Sequence, residues 1–229
     1  MGARRLGVLG GTFNPIHLGH LHIAQRAQRL FGLDRIYFVV ATIPPHKPLQ
    51  NLIPLTHRYA MVSLATAGSP SFIPSLIELE SPASPFSVHT MEKLASRNSG
   101  VDTRLYFLAG GDSLADVFTW RESEKLLTSY SFIFVARPGI GPVEPASVLP
   151  AKAISKVRNL VGLGPHRLRR RIQAEEASGE NLVFIVDLGA LDISASQIRK
   201  LASCGKQIRH LVPAAVHEYL QKTHFYGER

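Results

Sequence analysis

Hydrophobic positions along the 229-residue chain fall into two alternating kinds of run. Short stretches that are apolar almost throughout read as strands: RLGVLG (5–10), RIYFVVA (35–41), SLIELE (75–80), RLYFLAG (104–110), SFIFVAR (131–137) and LVFIVD (182–187). Between them apolar residues recur at helical spacing. HLHIAQRAQRLFG (20–32) sets Ile23, Ala27 and Leu30 on one face, and THRYAMVSLATAG (56–68) and SVHTMEKLASR (87–97) behave likewise. Strands apolar on both faces, alternating with amphipathic helices, predict an α/β domain: a doubly wound parallel sheet with helices on both faces. Ligands of such sheets bind beyond the C-terminal ends of the strands, so the chemistry is to be sought just after each strand.

The stretch of about 143–181 breaks the rhythm. It follows a Pro- and Gly-containing segment, carries a basic run and ends EEASGEN, a pattern equally compatible with a helical insertion and a mobile loop. Seven basic residues and no acid lie between Ala151 and Ile172, and they account for most of the formal net charge of +9. The basic run reads as a solvated helix face, a lid drawn toward phosphates, or a surface for another subunit or for nucleic acid. Without interleaved aromatic residues, nucleic acid ranks last, and a homo-oligomer stays open.

A hydrophobic content of 45% is enough for a sizeable core. The longest apolar runs fall far short of the roughly 20 residues that span a bilayer, so no membrane association is expected. The N-terminus turns glycine-rich before a signal-peptide apolar region develops, and the single cysteine, Cys204, has no disulfide partner. Both features predict an unprocessed, cytoplasmic protein.

The most specific stretch is GGTFNPIHLGH, Gly10 to His20, at the end of the first strand. Gly10 and Gly11 let backbone N–H groups approach a ligand closely, Asn14-Pro15 makes a turn, and His17 and His20 enter the next helix. With His20 beginning that helix, His17 would sit at its mouth, beside the positive end of the dipole. The pattern is neither the Walker loop nor GxGxxG. Two histidines three apart suit zinc, but no HExxH glutamate and no third ligand accompany them, so no protein metal ligand is expected. Near the other end of the chain, ISASQIR (193–199) pairs Ser194 with Gln197 as a capping box, placing Ser196 and Arg199 close to a helix N-terminus.

GGTFNPIHLGH resembles the first signature of the HxGH nucleotidylyltransferase superfamily, and ISASQIR resembles its second, the ISxxxxR type. PPHK (44–47), GGDSL (110–114) followed by Trp120, ARPG (136–139) and the tail LVPAAVHEYLQKTHFY are similar to the nicotinate-nucleotide adenylyltransferases within it. The resemblance implies a Rossmann-like nucleotidyltransferase domain over residues 1–229, with 193–229 as a C-terminal helical part completing the ATP site. It also implies two substrates, ATP and nicotinate mononucleotide, joined to give nicotinate adenine dinucleotide and pyrophosphate in NAD synthesis. Magnesium is expected to arrive with ATP, held mostly by phosphate and water.

By the same resemblance, His17, His20 and Arg199 are the catalytic candidates, with His20 steadying the α-phosphate in the transition state. ATP would be held by Gly10, Gly11, Thr12, Gly110, Asp112, Ser194, Ser196 and Arg199. Nicotinate mononucleotide would meet Asn14, Lys47, Phe86, Ser87, Trp120 and Arg137. Taken alone, Asp112 serves equally as a ribose acceptor or a helix cap, and the resemblance favours the ribose. Position 14 is often aspartate in the family and is Asn14 here. SPFSVHT (84–90) stands where the family reads Ser-Tyr-Thr, and Pro85 has no N–H to offer a carboxylate. Rival readings are an enzyme for nicotinamide mononucleotide or another phosphate acceptor such as phosphopantetheine, and a non-catalytic nucleotide sensor.

Overall fold

Alternate side chains of the central strands enter two different cores. In β4 (Thr103–Gly110), Leu105, Phe107 and Ala109 point to one side of the sheet, while Tyr106 and Leu108 point to the other. β5 (Ser131–Val135) splits the same way, with Phe132 and Phe134 opposite Ile133 and Val135. This is the period-two signature of a sheet buried on both faces. The structure, a computed structural model, describes residues 3–43, 52–136, 149 and 151–227.

Seven strands form one sheet in which every pairing is parallel. Besides β4 and β5 they are β1 (Arg4–Gly11), β2 (Arg35–Val40), β3 (Phe72–Ser75), β6 (Val157–Asn159) and β7 (Val183–Val186). Their spatial order is β3-β2-β1-β4-β5-β7-β6. The chain therefore moves outward in one direction from β1, then returns and moves the other way through β4 and β5 to the edge strand β6, with β7 inserted between β5 and β6. The point of reversal leaves a crevice beyond the C-terminal ends of β1 and β4. The last residues that these two strands pair with each other are Leu9 and Leu108, and the strands end at Gly11 and Gly110.

One face is covered by α1 (Leu18–Phe31), α2 (Leu55–Thr66), α7 (Pro165–Glu176), α8 (Ala195–Ser203) and α9 (Ala214–Thr223). The other carries α3 (Ser87–Arg97), α4 (Asp112–Asp116), α5 (Ser123–Ser129) and α6 (Ala151–Ile154). Among the described residues no helix is long and apolar enough to cross a membrane.

Two departures from the sequence pattern have physical causes. SLIELE does not form a strand: β3 ends at Ser75, and residues 77–79 make a 3₁₀ turn. The turn brings Glu78 inward, where its carboxylate accepts the Thr42 N–H and hydroxyl at 2.9 and 3.1 Å, just past β2. The sheet instead gains its edge from FIPS, whose Pro74 is tolerated because β3 has a partner on one side only. The basic stretch supplies β6 and α7, and its Leu160, Leu168 and Ile172 join the core. Arg167, Arg169, Arg170 and Arg171 remain exposed on α7. Arg158 and Arg171 pair with Glu175, and Lys152 with Glu124.

At the N-terminal edge of the sheet Tyr106 donates to the buried Glu176 carboxylate at 2.5 Å, which Arg104 also meets at 3.1 Å. Burial, then the neighbouring carboxylate, push the Tyr106 phenol well above the ordinary range. A raised folded-state pKa stabilises the fold below the unfolded value, near pH 10, and that contribution is lost as pH climbs above it. Urea unfolding at a series of pH values should therefore show stability falling above about pH 10, with a shallower fall in Tyr106→Phe.

Candidate active site

The loop after β1 is built from residues that fit one another. Phe13 adopts a left-handed conformation, φ 47°, and its buried ring lies beneath Gly11. A Cβ on Gly11 would come within 2.9 Å of that ring, so only glycine fits. The same ring meets His20 edge-on at 5.0 Å.

The helix begins two residues earlier than the sequence pattern places it, at Leu18, with His17 as its N-cap in extended conformation. His20 is the third residue of the first turn. Its Nδ1 accepts the His17 backbone N–H at 3.2 Å, the part that Glu or Gln plays in a capping box. Because Nδ1 accepts, the ring proton of neutral His20 resides on Nε2. The His17 ring lies beside it, centroids 3.7 Å apart, and folds over Gly19. A Cβ at position 19 would sit 3.0 Å from His17 Nδ1. The spacing HxGH thus encodes a capped helix start with two adjoining imidazoles, tilted by 32°, one buried and one half-exposed.

The second signature closes on the first. Ser194 caps α8 and accepts the Gln197 N–H at 3.2 Å, as its spacing predicts. From the first turns of the same helix, Arg199 donates Nη1 to the Asn14 carbonyl at 2.8 Å and Nη2 to Ser196 Oγ at 3.3 Å. Ile193 packs against the Gly19 position. Residues 185 apart in sequence are therefore bonded at one helix mouth.

Across the crevice Gly110 ends β4, and Gly111 donates to the Val135 carbonyl at 2.7 Å. Gly111 is the cap residue of α4, so Asp112 is the first helical residue, with its side chain exposed at the sheet's ligand edge. On this face Phe86 caps α3, Ser87 opens it, and Trp120 packs edge-on to Phe107 at 5.6 Å. Arg121 places its guanidinium 5.1 Å over the Phe86 ring and so joins the two stretches. Lys47 and Arg137 lie outside the described residues. The predicted residues thus gather in two groups. Asn14, His17, His20 and Arg199 neighbour Phe13, Ile16 and Ile198 of the first core, while Phe86, beside Ser87, and Trp120 pack against the second.

Sequence reasoning missed the residues that hold this site from behind. Arg58, 1% exposed on α2, donates to the carbonyls of Thr12 and Ala41 at 2.8 and 2.7 Å, and to those of Ile53 and Thr42. Burial pulls its pKa below the ordinary value, while Tyr226 and Glu78 act in the opposite sense. A lone arginine on the face that also carries Met61 and Val62 was the available signal. Tyr226, from the C-terminal tail, donates to Asn14 Oδ1 at 2.7 Å. Two surface cavities of about 320 and 510 Å³ open at the other edge of the sheet, beside Arg5 and beside Asp102, away from all of these residues.

Among families of known sequence, the cytidylyltransferase-like profile matches residues 8–201. A protein of Pelobacter propionicus named probable nicotinate-nucleotide adenylyltransferase is 37% identical over 224 residues, 98% of this chain and 99% of that one. Its namesake from Citrifermentans bemidjiense is 38% identical over 222 residues, 97% and 98% of the two chains. The chain belongs to the cytidylyltransferase-like family, among its nicotinate-nucleotide adenylyltransferases. The Plasmodium falciparum nicotinic acid mononucleotide adenylyltransferase complexed with NaAD shares this fold, with a TM-score of 0.69 over 97% of each chain at 18% identity.

Within this family member, Gly19→Ala tests the packing of the histidine pair. Alanine favours helix over glycine by about 1 kcal/mol, yet its Cβ displaces the His17 ring. The expected outcome is a thermal midpoint held or raised, together with shifted imidazole resonances of His17 and His20 by NMR. Unshifted resonances would contradict the packing described.

Proposed function

We propose that the protein transfers the adenylyl group of ATP to nicotinate mononucleotide, giving nicotinate adenine dinucleotide and pyrophosphate. The phosphate oxygen of the acceptor attacks the α-phosphorus, and the bond from that phosphorus to the bridging oxygen of the leaving pyrophosphate breaks. Such a transfer needs two anions held in line and the developing charge neutralised, with little covalent help from protein. The observation that carries the reading is the closure of the second signature on the first, with Arg199 bonded to Asn14 beside the two imidazoles at the sheet's reversal point.

On this reading residues 1–229 act as one nucleotidyltransferase domain. ATP lies over the Gly10–Thr12 turn, with its phosphates facing His17, His20, Ser194, Ser196 and Arg199 and its ribose toward Gly110 and Asp112. His20 Nε2–H is the donor to the α-phosphate. The acceptor occupies the second group, Phe86, Ser87 and Trp120, together with Asn14, Lys47 and Arg137. The names of the relatives support the acid nucleotide over the amide. Magnesium enters with the substrate, on the ATP phosphates. Among the described residues no group of three or more His, Cys, Asp or Glu side chains is arranged to hold a metal, and the donors at the crevice are imidazoles, hydroxyls and a guanidinium, which suit phosphate.

Incubation with ATP, Mg²⁺ and either mononucleotide, followed by chromatography, should show faster dinucleotide formation from the acid. Chelation of magnesium should halt it. His20→Ala should lower kcat by about 10²–10³-fold and cost about 1 kcal/mol of stability through the lost cap. No dinucleotide from either acceptor, in folded protein that binds ATP, would refute the reaction.

A further inference from the structure

Asn14 is held twice from the far end of the sequence. Its main-chain oxygen accepts Arg199 Nη1 at 2.8 Å, and its side-chain Oδ1 accepts the Tyr226 phenol at 2.7 Å. Tyr226 is delivered by a docked tail. In α9 the Tyr219 hydroxyl meets His57 Nδ1 at 2.7 Å, and past the helix Phe225 packs edge-on against the same imidazole at 4.5 Å. Burial keeps the Tyr226 phenol protonated, pushing its pKa well above the ordinary range against the opposing influence of Arg199 and Arg58. The phenol proton points to Asn14 Oδ1, so the carboxamide oxygen is the edge that meets the tail.

A carboxamide has two edges of nearly equal shape and opposite chemistry, one an acceptor and one a double donor. Which way it lies decides how it meets an anion. We infer that Tyr226 is a positioning residue for the proposed transfer: its hydroxyl keeps the Asn14 carboxamide with the oxygen toward the tail and the nitrogen edge away from it. A phosphate monoester accepts hydrogen bonds, so this is the orientation that suits the phosphate of the acceptor nucleotide. An aspartate at this position would have two equivalent oxygens and would need no such orientation. The inference rests on the adenylyl-transfer reading for its kinetic consequence and on geometry alone for the orientation.

The test compares wild type, Tyr226→Phe, Asn14→Ala and the double variant. Tyr226→Phe removes only the hydroxyl. Its KM for nicotinate mononucleotide should rise about tenfold, with the KM for ATP unchanged and the thermal midpoint within about 2 °C. In the Asn14→Ala background the same change should add less than about twofold, since the hydroxyl would act only through Asn14. The Asn14 side-chain amide resonances of the ligand-free protein, identified by their loss in Asn14→Ala, should shift in Tyr226→Phe. Three results overturn the inference: wild-type kinetics in Tyr226→Phe, an equal loss with and without the Asn14 carboxamide, or both KM values rising together with a fall in thermal midpoint. Should the wild type form no dinucleotide, the proposed reaction fails instead, and the amide resonances still decide the orientation, unchanged shifts refuting it.

Discussion

Arg58 presents its guanidinium to four main-chain carbonyls, those of Thr12, Ala41, Thr42 and Ile53. They belong to the chain leaving β1, the chain leaving β2 and the approach to α2. At the C-terminal edge of a parallel sheet the ladder stops, and the carbonyls just beyond it still need donors. One planar cation supplies them to three segments at once, and Ala41 N–H adds a bond to the Gly11 carbonyl at 2.9 Å. Glu78, drawn in by Thr42, places a carboxylate near the buried charge, and burial raises its own pKa. The turn that carries Gly11 and Phe13 is thus fixed from behind.

On that foundation the two signatures acquire separate duties. The first forms a helix mouth in which the His20 ring accepts the His17 N–H and the His17 ring packs between His20 and Gly19. The second brings a cation to the same mouth and spends one of its hydrogen bonds on the main chain of Asn14. A transfer between two phosphates depends on groups that are aimed before the substrates arrive, and these contacts are all made within the protein itself. The Phe86–Arg121–Trp120 group packs with the opposite core, so the proposed acceptor region draws on both faces of the sheet, with Asn14 on the side of the histidine pair.

The alternation of apolar runs made the parallel, doubly covered sheet legible, because burial on both faces leaves few polar residues in a strand. Gly11 and the two histidines were legible because the turn and the helix mouth are closely packed, as the Cβ contacts at Gly11 and Gly19 show. What escaped was nonlocal. Nothing near Arg58 reveals that it serves three loops, and Tyr226 reaches Asn14 across 212 residues. SLIELE looked like a strand because its apolar residues alternate, but the tertiary demand of Thr42 for the Glu78 carboxylate prevailed over local pattern. β6 was too short and too polar to be read before its pairing with β7 was known.

Hydrogen exchange and urea unfolding of Arg58→Leu test the clamp most directly. Leucine fills much of the space and donates nothing, so several buried carbonyls lose their partners. The expected loss is about 3–5 kcal/mol of unfolding free energy, with faster exchange of the Ala41 amide than global destabilisation explains. Stability within about 1 kcal/mol of wild type and an Ala41 amide as protected as before would show that the turn does not depend on Arg58.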